Sequence, residues 1–179
     1  ERARSGMGRS FQITSVFLSM SAIGNVSLAI RSRKNENFQL WRRATADTAV
    51  REEATRLLDL VDLAPSSQHA LGSELAHGEL RQLELAMALA LQPRLLILDE
   101  PMAGLGPGES LHMVSLLQKL KHEYAILLIE HDMDAVFSLA DQISVLVAGS
   151  IVCAGTADEI RTNPLVKEAY LGEDDDQDW

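Results

Sequence analysis

Leu95-Leu96-Ile97-Leu98-Asp99-Glu100-Pro101 is the stretch on which the fold turns. Four consecutive aliphatic residues, preceded by Pro93 and too few for a helix, read as a strand buried on both faces of a parallel sheet. Two carboxylates follow at its carboxyl end, the edge at which open α/β sheets take their ligands. In a nucleotide hydrolase Asp99 would hold Mg²⁺ and Glu100 would orient or deprotonate the attacking water. The same residues also describe a strand that simply ends in solvated acids.

Outward from this strand the apolar period changes. Upstream, Val50, Ala54, Leu57, Leu58 and Val61 recur at three- and four-residue spacing, predicting a helix over 45–63 that closes before Pro65. A polar loop runs to about Ser73, and a second helix is predicted over 78–91 with Leu80, Leu83, Met87 and Leu91 on one face. Downstream, a Gly- and Pro-rich loop at 104–108 leads into a helix over 109–121, and Ala125-Ile126-Leu127-Leu128-Ile129 reads as the next buried strand. Asp132 is placed to cap a short helix ending at Ala140. Ile143–Val147 is a further strand, turning at Gly149-Ser150 into Ile151-Val152. Strands alternating with helices mean α/β.

Composition narrows the functional classes. The 179 residues carry a net charge of −10, against the basic face expected of a nucleic-acid binder. Residues 1–56 carry net +5 and residues 57–179 net −15, a split that describes either a basic docking face or an ordinary solvated helix surface. A single cysteine, Cys153, forms no intrachain disulfide and no cysteine metal cluster, so the cytoplasm is the default compartment. The uncharged stretch from Ser10 to Ile30 is interrupted by Gln12, Thr14, Asn25 and four serines, which argues against a signal peptide or membrane span. The run Glu173-Asp174-Asp175-Asp176-Gln177-Asp178 repels itself and predicts a disordered tail. His69, His77, His112 and His122 lack the spacing of a metal site, Met102 and Met133 read as packing, and Cys153 has no neighbouring base.

A second fixed point is Ile129-Glu130-His131-Asp132, which brings His131 out at the end of the strand after Glu100's, on the same sheet edge. A histidine there hydrogen-bonds a γ-phosphate or the developing charge of a transition state, although such a residue alone more often caps or faces solvent.

Together these motifs resemble the ATP-binding domain of ABC transporters. Asp99-Glu100-Pro101 looks like that family's Walker B end, and Leu75-Ala76-His77-Gly78-Glu79 its signature loop. His131 matches the switch histidine, Phe11-Gln12 the Q-loop, and Ala103-Gly104-Leu105-Gly106 the D-loop. The Arg9-Ser10-Phe11-Gln12 entry, the Gly78-Glu79 pair, the Glu130–Met133 run and Ala169-Tyr170-Leu171-Gly172-Glu173 are most similar to branched-chain amino acid importers and their urea-importer relatives. The resemblance implies a partial P-loop NTPase core, a parallel sheet flanked by helices, with an α-helical subdomain. It divides the chain into a Q-loop entry at 1–14, a helical subdomain with the signature helix at 15–92, the second half of the core at 93–172 and the tail at 173–179.

The resemblance also implies chemistry and partners. ATP and Mg²⁺ are the cofactors, with Asp99 and Gln12 toward the metal and Glu100, His131 and Gln12 in catalysis. Ala76, His77, Gly78, Glu79 and Gly104 would contact nucleotide. The implied partners are a second ATPase subunit, in a homo- or heterodimer, and a transmembrane permease that Gln12 and the 15–70 region couple to, placing the protein on the inner face of the cell membrane. The transported solute is a property of the permease and its binding protein.

Three positions depart from the family pattern. No Gly-x-x-x-x-Gly-Lys-Ser/Thr phosphate loop is present. In the nearest candidate, Gly8-Arg9-Ser10, the residue five before Gly8 is Ala3 and Arg9 stands for the lysine. With Glu1 at the start instead of Met, the expectation is an N-terminally truncated domain whose 95–98 strand exposes a hydrogen-bonding edge that invites aggregation or swapping. Ala76 stands where the family's signature serine does, and Gly106 where a polar residue closes the D-loop, so weaker turnover is expected. A competing expectation follows from the missing loop: a non-catalytic module that pairs with another ATPase and docks on the permease.

Overall fold

The computed structural model describes residues 7–9, 16–33 and 48–166, in two units, 1–130 and 131–179. Phe11, Gln12 and the acidic tail lie outside the described residues.

The first unit is built on a parallel sheet. Strand β1 (Met7–Arg9) pairs with β2 (Leu95–Asp99) from Met7↔Leu95 to Arg9↔Ile97, and β2 pairs with β3 (Ala125–Ile129) from Leu95↔Ala125 to Asp99↔Ile129. The order is β1-β2-β3. Gly8 and Arg9 thus lie inside a strand, where backbone N–H groups serve the ladder and cannot cradle a phosphate.

The expected open edge at 95–98 is corrected. β2 is the central strand, and among the described residues β1 and β3 are the two edges of the sheet. Burial follows that order. Leu96 and Leu98 of β2 are buried, whereas Ala125, Leu127 and Ile129 alternate to an exposed face, Leu127 at 50% and Ile129 at 48%. Strand β3 was expected to be buried on both faces because its five residues are all apolar. Sequence hydrophobicity does not distinguish a central strand from an edge strand with one exposed face.

Four helices complete this unit: α1 (Ala22–Arg33), α2 (Thr48–Leu60), α3 (His77–Ala90) and α4 (Pro107–Leu120). Helix α1 was not foreseen, its serines and Asn25 masking the period. Asn25 is fully buried and satisfied: its Oδ1 accepts from the Phe17 N–H at 2.8 Å, and its Nδ2 donates to the carbonyls of Phe17, Met20 and Ser21. A buried amide so paired fixes the 16–21 turn instead of destabilising the core. Gly72 packs into the same turn, where a Cβ would stand 2.9 Å from Val16 and 3.1 Å from the Leu18 backbone. At the other end of α1, Arg33 donates to the last carbonyl of α3, Ala90, at 2.7 Å and pairs with Glu53 of α2 at 2.9 Å, tying three helices together.

Helix α3 is buried around most of its circumference, with Gln82 through Ala86 and Ala88 through Ala90 all inside. The single face expected at Leu80, Leu83, Met87 and Leu91 is corrected: only Leu83 of the four is fully enclosed. A helix touched by α1, α2 and β1 has no solvent face of ordinary width.

The second unit contains α5 (Met133–Leu139), β4 (Ile143–Val147), β5 (Ser150–Gly155) and α6 (Ala157–Thr162). Asp132 caps α5 as expected, its Oδ1 accepting from the Ala135 N–H at 3.1 Å. The β4–β5 turn is centred one residue earlier than expected, on Ala148 (φ +47°) and Gly149 (φ +81°). Two consecutive positive φ values suit the right-handed twist of a hairpin, and glycine takes the second at little cost. Helix α6 was not foreseen. Its start is a capping box in which Glu159 accepts from the backbone N–H and hydroxyl of Thr156, and these bonds hold its carboxyl below the usual range. Ile143, Val145, Ile160 and Val166 form the core, packed by Phe137, over which the Arg161 guanidinium stacks at 4.4 Å.

An apolar edge strand without a charge on its open face templates edge-to-edge pairing. Leu127→Lys is expected to reduce the high-mass fraction in size-exclusion chromatography while leaving the melting temperature within about 2 °C, because a half-exposed leucine contributes little to the core.

Candidate functional site

The carboxyl end of β2 is held from both sides of the chain. The Glu100 N–H donates to the Ile129 carbonyl at 2.9 Å, extending the β2–β3 ladder one residue past Asp99. The backbone then bends sharply, with Glu100 at φ +48°. A non-glycine residue in this region costs roughly 1–3 kcal/mol and persists only where its surroundings over-determine it. Those surroundings are on hand: the Ala103 N–H bonds the Glu100 carbonyl at 3.1 Å, the Met102 N–H donates to Glu130 Oε1 at 3.1 Å, and Pro101 and Met102 are buried. Below the bend, Arg81 and Glu84 of α3 pair at 3.0 Å and, with Leu85, Leu98, Pro101 and Met113, line a cavity of about 20 Å³. Glu130 braces this bend, a task that the sequence run displaying it does not reveal. Its only signal was a carboxylate at a strand end.

The segment 75–79 opens α3. Ala76 is the N-cap, in extended backbone, and offers no side-chain acceptor to the first turn. Glu79 accepts from the Ala76 N–H at 2.9 Å with Oε2 and from the Ser67 hydroxyl with Oε1, so both of its oxygens are engaged in fixing the loop. His77 and Gly78 face a second loop. His77 Nε2 lies 3.4 Å from the Ala103 carbonyl oxygen and 3.0 Å from where a Cβ on Gly104 would stand. Gly104 itself sits at φ +78°, a conformation natural only to glycine. Two residues on, Gly106 caps α4, and its N–H donates to Glu109 Oε2 at 3.0 Å. The other oxygen of Glu109 reaches within 2.5 Å of where a Gly78 Cβ would be. Residues 76–78 and 103–109 are therefore contiguous, and Glu109, visible in sequence only as the third residue of a capping box, joins them.

His131 is exposed and follows β3 by two residues, directly ahead of the Asp132 cap. Among the described residues no three His, Cys, Asp or Glu side chains form a group able to hold a metal ion. Mg²⁺ on phosphates keeps its waters and needs one or two protein oxygens, so Asp99 on its strand end suits that ion when nucleotide brings the rest.

The chain matches the family model described as ABC transporter over residues 1–103, and a second, described as branched-chain amino acid ATP-binding cassette transporter, over 150–176. It is 39% identical to the high-affinity branched-chain amino acid transport ATP-binding protein BraF of Pseudomonas aeruginosa, and 38% identical to LivG of Escherichia coli. Each match covers 96% of this chain and 69% of the relative. Among solved structures, the ADP conformation of an ATP-binding cassette of an ABC transporter superposes with a TM-score of 0.77 at 25% identity, covering 96% of this chain and 70% of that one. A nucleotide-free cassette gives 0.76 at 26%, with the same coverage.

Ala76→Ser supplies the missing N-cap acceptor and is expected to stabilise the fold by about 1 kcal/mol, read as a raised midpoint in chemical denaturation with an unchanged slope.

Proposed function

Because the chain belongs to the ABC transporter ATP-binding family, we propose that it is the ATP-hydrolysing subunit of an importer for branched-chain or other amino acids. One observation carries the reading: Asp99 and Glu100 end the central strand of a parallel sheet, with Glu100 held in a costly backbone conformation. Backbone strain of this kind clusters at active sites and ligand clamps.

Bound MgATP supplies the γ-phosphoryl group and the cation that neutralises its charge. Asp99 and Gln12 are the residues that would hold the Mg²⁺, and Gln12 would also report nucleotide state to the permease. Glu100 orients the attacking water and takes its proton. His131 donates to the charge that develops on the transferred group. The start of α3, with the backbone around Ala76, His77, Gly78 and Glu79, turns a helix N-terminus toward the phosphate held by the second subunit of a head-to-tail dimer, and Gly104 lies beside it. In this division of labour residues 1–14 are the Q-loop entry segment, 15–92 the helical subdomain with the signature helix, whose 15–70 region couples to the permease, 93–172 the second half of the core and 173–179 a tail. The subunit lies on the inner face of the cell membrane against a separate permease. No helix of the described residues is long and apolar enough to cross a membrane. The Asn25-braced turn offers that permease Phe17, Leu18 and Leu71, all exposed.

A second reading is favoured by one fact, the lack of a phosphate-loop motif in these 179 residues. It is a non-catalytic module that pairs with another ATPase and docks on the permease. Nucleotide binding by the chain alone separates the two, and retention of ATP by equilibrium dialysis supports the enzyme.

In the full-length protein assembled with its permease, Glu100→Gln is expected to lower phosphate release by roughly 10²–10⁴-fold, the usual contribution of a general base. Hydrolysis at the parental rate removes Glu100 from catalysis. Phe17→Asp is expected to abolish co-purification with the permease while leaving the folded domain's melting temperature unchanged, since Phe17 is half exposed.

A further inference from the structure

The two glycine-centred loops of the site meet through side chains that neither motif includes as a catalytic group. His77, from the start of α3, lies over the 103–104 backbone: its Nε2 is 3.4 Å from the Ala103 carbonyl oxygen and 3.0 Å from the position of a Gly104 Cβ. Glu109, from the first turn of α4, lies over the start of α3. Its Oε1 is 2.5 Å and its Cδ 3.1 Å from the position of a Gly78 Cβ, while its Oε2 accepts from the Gly106 N–H at 3.0 Å. Each loop therefore lends a side chain to the other, and each receiving position is a glycine.

The physical consequence is a clamp. Two helices of 14 residues each, α3 and α4, start at this junction, so the positive ends of two macrodipoles converge on it. One carboxylate between them is favoured by both, and it is bonded to one and packed on the other. An alanine at 78 would meet the carboxylate, and an alanine at 104 would meet the imidazole in a backbone conformation that only glycine takes easily. Glycine at both positions is what lets the reciprocal contacts form.

We infer that His77 and Glu109 are positioning residues that lock the 76–78 loop to the 103–106 loop, so that the two move as one body when nucleotide engages either. Neither side chain performs a chemical step in this role. The catalytic consequence rests on the reading given under Proposed function; the mechanical link does not.

The test uses His77→Ala and Glu109→Gln, the latter keeping an acceptor for the Gly106 N–H while removing the charge. Solvent-exchange NMR of the backbone amides in the full-length protein reads the link directly. His77→Ala is expected to speed exchange at Ala103–Gly106, and Glu109→Gln at His77–Leu80, each several-fold and in the loop the substitution does not occupy. Exchange altered only in the substituted loop overturns the clamp. Steady-state hydrolysis in the assembled transporter reads its consequence: kcat is expected to fall three- to tenfold with the KM for ATP within twofold, and His77→Gln, which retains a donor, to recover most of the loss. An equal change in KM, or no change in kcat beside altered cross-loop exchange, overturns the positioning role. Absence of hydrolysis in the unsubstituted protein counts against the proposed function, and the exchange readout still decides the clamp.

Discussion

Everything at this site hangs on β2 being flanked by parallel neighbours on both sides. Pairing with β1 and β3 fixes the strand's register, and the bond from the Glu100 N–H to Ile129 carries the ladder one residue beyond the last paired carboxylate. The buried Leu96 and Leu98 anchor the strand from within, so its carboxyl end is delivered to one place. A slip of one residue would turn Leu96 and Leu98 out and point the acids the wrong way. The bend after Asp99 is then possible because Glu130, from the end of β3, accepts the Met102 N–H. Two adjacent strand ends thus brace one another.

The periods of apolar residues were enough for most of the framework. Strands at 95–99, 125–129 and 143–147, and helices at 48–60, 77–90, 107–120 and 133–139, all arise where hydrophobic spacing and caps place them. Helices α1 and α6 escaped notice for different reasons. Asn25 in α1 is buried yet polar, and only its four hydrogen bonds make that tolerable, which spacing does not reveal. Helix α6 has six residues, too few to show a period, and announces itself only through Thr156 and Glu159. The position of β2 inside the sheet was misjudged because strand order is a tertiary fact, set by which strands find each other across long loops.

At the site, the residues with motif-like spacing were legible and their supports were not. Asp99, Glu100 and the 75–79 loop stand out in sequence. Glu109, Glu130 and the Arg81–Glu84 pair do not, because Glu109 and Glu130 act on residues of other elements, Gly78 and Met102, and the ion pair faces Leu98, Pro101 and Met113 across a small cavity. Gly78 and Gly104 belong to both groups: their presence is visible, whereas the reason for it is the side chain that fills the space a Cβ would take.

The left-handed backbone at Glu100 sets two selective demands against each other. Asparagine and glycine adopt that conformation more readily than glutamate, so a library of position-100 variants sorted for heat resistance alone would enrich them and discard the carboxylate. Glutamate at 100 thus stands against the preference of its own backbone conformation, a conflict legible from one dihedral angle. A thermostabilised version of this protein is best engineered elsewhere, at caps and edges, leaving the bend after Asp99 as it is.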